Sequence, residues 1–146
     1  MSRPKKVLLQ YKLITILCLT ISFISKTNSS VLAQSVLESA EIYKIRNQVE
    51  LSRRNRPVWN PAKLGDNLVP QDAIRTGANS RAELLFNEGT LVRTGAGTIF
   101  RFSPGKRNFE LDSGSALVLI RPDRGESVIN TPEATISSQG TALLVQ

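Results

Sequence analysis

Short apolar runs separated by turn residues follow one another through the chain beyond residue 80. In Arg81–Phe86, the apolar residues Ala82, Leu84 and Phe86 alternate with others, which is the period-two pattern of a half-buried strand. Comparable runs are centred near residues 84, 92, 100, 110, 118, 128, 136 and 143. A spacing of roughly seven to ten residues predicts an all-β domain. A solenoid-like roll of short strands and a β-sandwich both satisfy this spacing.

Glycines stand between these runs, either as ligand-binding loops or as chain reversals. Gly89 lies in a three-residue connection, where a type I turn followed by a left-handed residue is common. We assign Gly77 a similar role. Gly95 and Gly97 resemble the start of a dinucleotide-binding loop, but its third glycine and its helix are missing. The sequence therefore predicts chain corners rather than phosphate-binding loops.

The first 33 residues have the organisation of a secretory signal peptide, which we expect to be helical and then removed. Basic residues precede the apolar run Leu13–Ile24, and Val31 and Ala33 place small residues before the expected cleavage point. The run is about a dozen residues long, whereas a membrane span needs roughly 20. We predict cleavage after Ala33 and export to the periplasm or the extracellular space. Residues 34–39 are then a lead-in segment, with a short turn of helix over 35–40.

Setting the signal peptide aside changes the charge of the chain. The full sequence has 19 basic and 12 acidic residues, a net charge of +7. Five basic and no acidic residues lie in the first 33 positions, which leaves 14 against 12 and a net charge of +2. So small an excess gives no reason to predict nucleic-acid binding.

The residue types of the predicted mature chain exclude several kinds of catalysis. The sequence has no histidine, and its one cysteine, Cys18, lies in the signal peptide. Ser-His and Cys-His nucleophile pairs are therefore impossible, as are zinc sites built on imidazole or thiolate. The carboxylates are scattered, and Asp66 and Asp72 fit turn and strand-end positions better than an acid–base pair. We predict a non-enzymatic protein without cofactor or metal.

Arg53, Arg54 and Arg56 form the densest charge of the mature chain, close to Trp59. One interpretation is a surface that binds an anionic polysaccharide or a phosphorylated partner. The alternative is a solvated loop with Trp59 packed on the core, because a lone tryptophan more often packs than binds. We favour the solvated loop and keep the anionic surface as the alternative.

A series of short motifs runs in order through the mature chain. Its members are Trp59, Pro61, Gly65, Asp66, Asp72, Thr76, Gly77, Ser80, Ala82, Leu84, Phe86, Gly89, Thr90, Gly114, Thr131, Pro132, Gly140 and Thr141. This ordered set resembles the FecR-like domain of periplasmic and exported bacterial proteins. The resemblance covers roughly residues 40–146, and it implies a solenoid-like roll in which these residues form turns and strands.

The founding members of that family relay the state of an outer-membrane siderophore receptor across the envelope. That relay uses a cytoplasmic segment and a membrane span, and here only about twelve residues precede the apolar run. Family members also usually continue beyond the Gly140-Thr141 strand, so we expect a truncated module or one completed by a partner. The resemblance implies no metal site in this chain.

We therefore expect an exported, non-enzymatic module that binds an envelope protein of unknown identity and takes part in envelope signal sensing or transduction. The expected contact surface is a strand edge, because an incoming chain can add backbone hydrogen bonds there. Leu85 and Leu91 face away from the other apolar residues of their strands, and they are further candidates for the surface that contacts the partner. The alternative is a module that binds peptidoglycan or another polysaccharide.

Overall fold

The computed structural model describes residues 36–54, 56–105 and 107–146, and the predicted signal peptide lies outside these ranges. The described residues are all-β and contain no helix, which confirms the predicted fold class. Accordingly, no described helix has the length and apolar character needed to cross a bilayer. The strands are β1 (Ala40–Arg46), β2 (Val49–Ser52), β3 (Asn60–Pro61), β4 (Asn67–Leu68), β5 (Ala73–Thr76), β6 (Arg81–Phe86), β7 (Leu91–Thr94), β8 (Ile99–Phe102), β9 (Asn108–Ser113), β10 (Ala116–Leu119), β11 (Ser127–Asn130), β12 (Thr135–Ser138) and β13 (Ala142–Val145).

The strands form two open sheets, here called sheet A and sheet B. Sheet A has the order β13-β10-β7-β6-β1-β4, and sheet B has the order β12-β11-β9-β8-β5-β2-β3. From β5 onward the chain passes back and forth between the sheets and advances steadily along both of them. This winding is the roll-like feature of the fold, while the two sheets packed on one core resemble the layers of a sandwich.

Phenylalanines from the two sheets meet in that shared core. Phe86 of sheet A makes edge-to-face contacts with Phe102 and Phe109 of sheet B, with ring centroids 5.0 and 5.3 Å apart. Phe100 stacks on Phe109 at 5.9 Å. Aromatic pairs in these geometries add about 0.5–1.5 kcal/mol each beyond the area that they bury. The period-two pattern thus directs one face of each strand into a single core.

The segment expected to lead into the domain is part of its packing. Leu37 is fully buried in the core. The Asn87 side chain accepts hydrogen bonds from the backbone N–H groups of Glu38 and Ser39, and it donates one to the carbonyl of Val36. Residues 36–39 are not helical, so the helical turn predicted there is wrong. The segment is extended instead of helical because the hydrogen bonds of Asn87 hold its backbone against the β6–β7 turn.

The glycine corners agree only in part with the sequence interpretation. Gly89 has φ +92° in the β6–β7 turn, and its N–H donates to the carbonyl of Phe86, which confirms the left-handed position. Gly77 does not have a positive φ. In that turn Asn79 is the left-handed residue, with φ +54°. Asparagine tolerates this conformation because its short side chain can hydrogen-bond locally.

Candidate functional site

Most residues of the ordered motif series serve the fold. Ala82, Leu84 and Phe86 lie in the core, and Asp72, Thr76, Ser80 and Thr90 are buried polar residues. Thr76 is an example of a buried polar side chain that bonds backbone groups of neighbouring segments. Its hydroxyl donates to the carbonyl of Gly95 at 2.6 Å and accepts a hydrogen bond from the N–H of Thr98 at 2.9 Å. The exposed members include Pro61, Gly65, Pro132 and Thr141.

Asp72 organises the arginine loop between β2 and β3. Its buried carboxylate accepts hydrogen bonds from Arg53 Nη1 at 2.7 Å, from the Arg54 N–H at 2.9 Å and from the Val69 N–H at 3.0 Å. A carboxylate without solvent contact requires such partners. Arg53 is therefore paired with Asp72, although its side chain is 47% exposed.

The other two arginines of the loop remain exposed. A recess of about 350 Å³ is lined by Arg53, Arg54, Arg56, Val69 and Asp72. Among the residues that the structure describes, no carboxylate lies within ion-pair distance of Arg54 or Arg56. An anionic group could therefore bind these two guanidinium groups.

Trp59 is not part of that recess, and the aromatic and basic residues do not form one site. Its ring instead lies under the guanidinium of Arg75, 4.7 Å from the ring centroid. Arg75 also donates from Nε to Glu50 at 2.5 Å. This hydrogen bond is the main reason why the pKa of the Glu50 carboxyl is lowered. Desolvation by burial opposes it, and a weaker attraction between the two charges adds to it.

Arg107 and Glu88 form an ion pair that no sequence pattern predicts. Arg107 is fully buried immediately before β9, and its Nη1 lies 3.1 Å from Glu88 Oε2. Its other nitrogens donate to Ser127 and Thr90. The pair joins the β6–β7 turn of sheet A to strands of sheet B, so its role is in holding the two sheets together. The sequence contains no local signal for it, because the partners are brought together only by the fold.

The outer face of sheet A carries a row of leucines, which we call the leucine face: Leu85, Leu91, Leu117, Leu119 and Leu144. They belong to β6, β7, β10 and β13, which are adjacent strands. Leu85 lies opposite Leu91, Leu91 opposite Leu119, and Leu117 opposite Leu144. Leu144 is 65% exposed and Leu85 is 38% exposed. Leu117 and Leu119 of β10 are half-buried on this outer face.

Four basic residues lie beside the leucine face, and we call them the basic corner: Lys44, Arg46, Arg81 and Arg93. Arg46 and Arg81 are directly opposite each other on β1 and β6. Glu83 lies opposite both Lys44 and Arg93, at 3.9 Å and 3.3 Å respectively. Arg93 is also opposite Leu117. The basic corner and the leucine face are therefore one continuous surface.

The family model described as FecR protein matches residues 72–146, which is more than half of the 146-residue chain. The chain belongs to the FecR family. The match confirms the resemblance seen in the sequence, and FecR is a regulatory and signalling family whose members are typically associated with the cell envelope. Comparisons with curated proteins and with solved structures find no match.

The boundaries of the FecR match separate the candidate surfaces. The match contains the whole leucine face together with Arg81 and Arg93. The arginine loop and Trp59 precede it, as do the motif residues Pro61, Gly65 and Asp66. Within the described ranges, no group of three or more acidic side chains is placed to hold a metal ion. The leucine face is therefore the candidate surface that lies wholly within the matched region.

Proposed function

We propose that this FecR-family chain is an exported, non-enzymatic envelope module that binds a protein partner and takes part in signal sensing. The observation that carries the proposal is the leucine face. Exposed apolar patches rimmed by polar residues are typical of interaction sites in soluble proteins. Here the leucines of four adjacent strands face outward while the same strands also supply the core.

Binding through the leucine face can be tested by photocrosslinking in the native cell envelope. A photoreactive amino acid replaces Leu91 or Leu117 in separate variants. Matched controls carry it at Ile99 or Val128, which are also half-buried strand positions but belong to sheet B. We expect a discrete crosslinked species with one envelope protein from the sheet A positions only. Equal crosslinking from both sheets, or none from sheet A, would contradict the proposal.

Export has its own test. Cleavage after Ala33 predicts that the intact mass of the exported protein corresponds to a chain beginning at Gln34. Recovery of the protein with Met1 in washed membranes would contradict cleavage. This measurement is independent of binding, so failure of one part of the proposal can be told from failure of the other.

A polysaccharide-binding function is the second candidate, and it rests on the recess beside Arg54 and Arg56. Sedimentation with purified peptidoglycan tests it, with Arg54→Ala and Arg56→Ala combined as the variant. Loss of sedimentation in the double variant, and recovery of wild-type protein from the pellet at low salt only, would support it. Trp59→Ala should leave sedimentation unchanged, because Trp59 packs on Arg75 outside the recess.

A further inference from the structure

The basic corner has more positive charge than its own carboxylates neutralise. Among the described residues, one carboxylate forms ion pairs with members of the basic corner. This is Glu83, which is shared between Lys44 and Arg93. The other carboxylate on this face, Glu41, lies opposite Leu85 at the far end of β1 and β6. Four basic side chains are therefore balanced locally by one acidic side chain.

Arg46 and Arg81 are the least compensated members of the basic corner. They form a directly opposed cross-strand pair, and among the described residues neither makes an ion pair. Like charges directly opposite each other destabilise a sheet. A carboxylate placed between the two guanidinium groups would remove this repulsion and could accept paired hydrogen bonds from them.

The charged and apolar parts of the face share recesses in the surface. One recess of about 160 Å³ is lined by residues that include Lys44, Arg46 and Arg81. A second, of about 400 Å³, is lined by residues that include Arg81, Arg93, Leu117 and Leu144. Arg81 borders both. Recesses accept protruding side chains, whereas a flat lipid surface is contacted by residues that project from the protein.

We propose that the basic corner and the leucine face together form a docking site for an amphipathic protein segment that carries carboxylates at one end. This inference rests on the proposed function and names the chemistry of the partner. The adjacent strands β1, β6, β7, β10 and β13 of sheet A are separated by four spacings of about 4.8 Å, so they cover roughly 19 Å. That distance corresponds to about 13 residues of helix. Apolar side chains of the segment cover the leucines, and its carboxylates reach Arg46 and Arg81.

A second copy of this chain does not fit the same surface. Docking two copies face to face about a two-fold axis brings each basic corner against either the other basic corner or the other leucine face. The first arrangement opposes like charges, and the second desolvates guanidinium groups without a counter-ion. The charge distribution therefore favours an acidic partner over self-association.

The charge preference is tested with two synthetic amphipathic peptides that share the same leucine positions. One peptide carries glutamate at its polar end and the other carries lysine. We expect the exported protein to bind the glutamate peptide at least about tenfold more tightly at low salt, with a smaller difference at high salt because screening weakens exposed ion pairs. Equal binding of the two peptides would overturn the charge inference while leaving a leucine-mediated function intact.

Two pairs of variants locate the binding. Arg46→Glu combined with Arg81→Glu should lower affinity for the glutamate peptide at least about tenfold and raise affinity for the lysine peptide. Arg54→Glu combined with Arg56→Glu makes the same change in net charge on the arginine loop and should leave both affinities unchanged. Equal effects of the two double variants would mean that only the net charge of the protein matters. That result would contradict binding of the peptide at the basic corner.

The apolar half has a control of equal exposure. Leu144→Asp on β13 should weaken binding of the glutamate peptide several-fold. Leu64→Asp should leave this binding unchanged, because Leu64 lies in the turn before β4, at the opposite edge of sheet A, although it is equally exposed at 65%. Phosphatidylglycerol vesicles serve as the lipid probe. Vesicle binding that requires Arg46, Arg81 and Leu144, in the absence of peptide binding, would replace the protein partner with a membrane surface.

Discussion

The buried pair between Arg107 and Glu88 gives the sharpest prediction about the stability of this FecR domain. Glu88→Gln preserves the shape of the side chain but removes its charge, and Arg107 stays protonated because a guanidinium cannot lose its proton in a protein. The buried positive charge then loses the carboxylate that faces it at 3.1 Å. We expect this to destabilise the domain much more than loss of an exposed pair.

The magnitude follows from the contacts of the two side chains. Breaking a buried ion pair on one side costs about 3–5 kcal/mol. We expect the lower end, about 3 kcal/mol, for two reasons. Glu88 Oε2 accepts no well-aligned hydrogen bond within the described part of the chain, and Arg107 keeps its contacts with Ser127 and Thr90. At roughly 4 °C per kcal/mol for a domain of this size, Tm should fall by about 12 °C.

Denaturant and thermal unfolding of the exported protein measure this effect. Glu133→Gln is the matched control, because Glu133 is exposed and should change the free energy of unfolding by less than about 0.5 kcal/mol. Replacing both partners, with Arg107→Met and Glu88→Met, should cost less than Arg107→Met alone, because no unpaired charge remains buried. A loss below about 1 kcal/mol in Glu88→Gln would show that the pair behaves like an exposed one, since exposed pairs contribute that little.

Three further predictions concern the core, a turn and pH. Leu37→Ala should cost about 2–5 kcal/mol in the free energy of unfolding, because Leu37 is fully buried; a cost below 1 kcal/mol would mean that residues 36–39 are not packed on the domain. Gly114→Ala should destabilise more than Gly89→Ala in the same denaturant assay, although both glycines have a positive φ. An added Cβ at Gly114 would lie 2.5 Å from the backbone Cα of Thr98, which precedes β8, whereas at Gly89 it would meet only the flexible side chain of Arg121. We expect roughly 1 kcal/mol for Gly89→Ala, and equal costs would contradict this argument. Because the pKa of Glu50 is lowered in the folded state, its carboxylate stabilises the fold above the unfolded-state pKa, and this stabilisation is lost as pH falls through the lower folded-state pKa. Unfolding curves across acidic pH should therefore show a smaller acid-induced loss of stability in Glu50→Gln than in wild type. Identical pH profiles would show that Arg75 does not stabilise the carboxylate.

Strands from β6 onward could be located from the sequence because period-two alternation is a local property. Each of the eight predicted centres falls within one of the strands β6 to β13. The earlier strands gave weaker signals. β3 and β4 are only two residues long, and β1 contains a bulge between Ile42 and Lys44 that breaks its alternation. Short or bulged strands exist because neighbouring strands supply their hydrogen bonds, and this information is not local.

The candidate site was accessible to sequence reasoning only in part. Leu85 and Leu91 could be singled out because they oppose the apolar face of their own strands. Leu117 and Leu119 could not, because they lie within a continuous apolar run that is equally compatible with burial on both faces. The basic corner could not be found at all, because Arg46 and Arg81 are far apart in the chain and become neighbours only through the pairing of β1 with β6.

The sequence alone determined the all-β class, the family and the absence of histidine chemistry, because each depends on residue types and short-range spacing. Tertiary structure decided which charges are neutralised and which remain available. Asp72 neutralises Arg53 in the arginine loop, and Glu88 neutralises the buried Arg107. Arg46 and Arg81 are left opposed on an exposed sheet face. Charge compensation depends on distances across strands, and sheet register sets those distances.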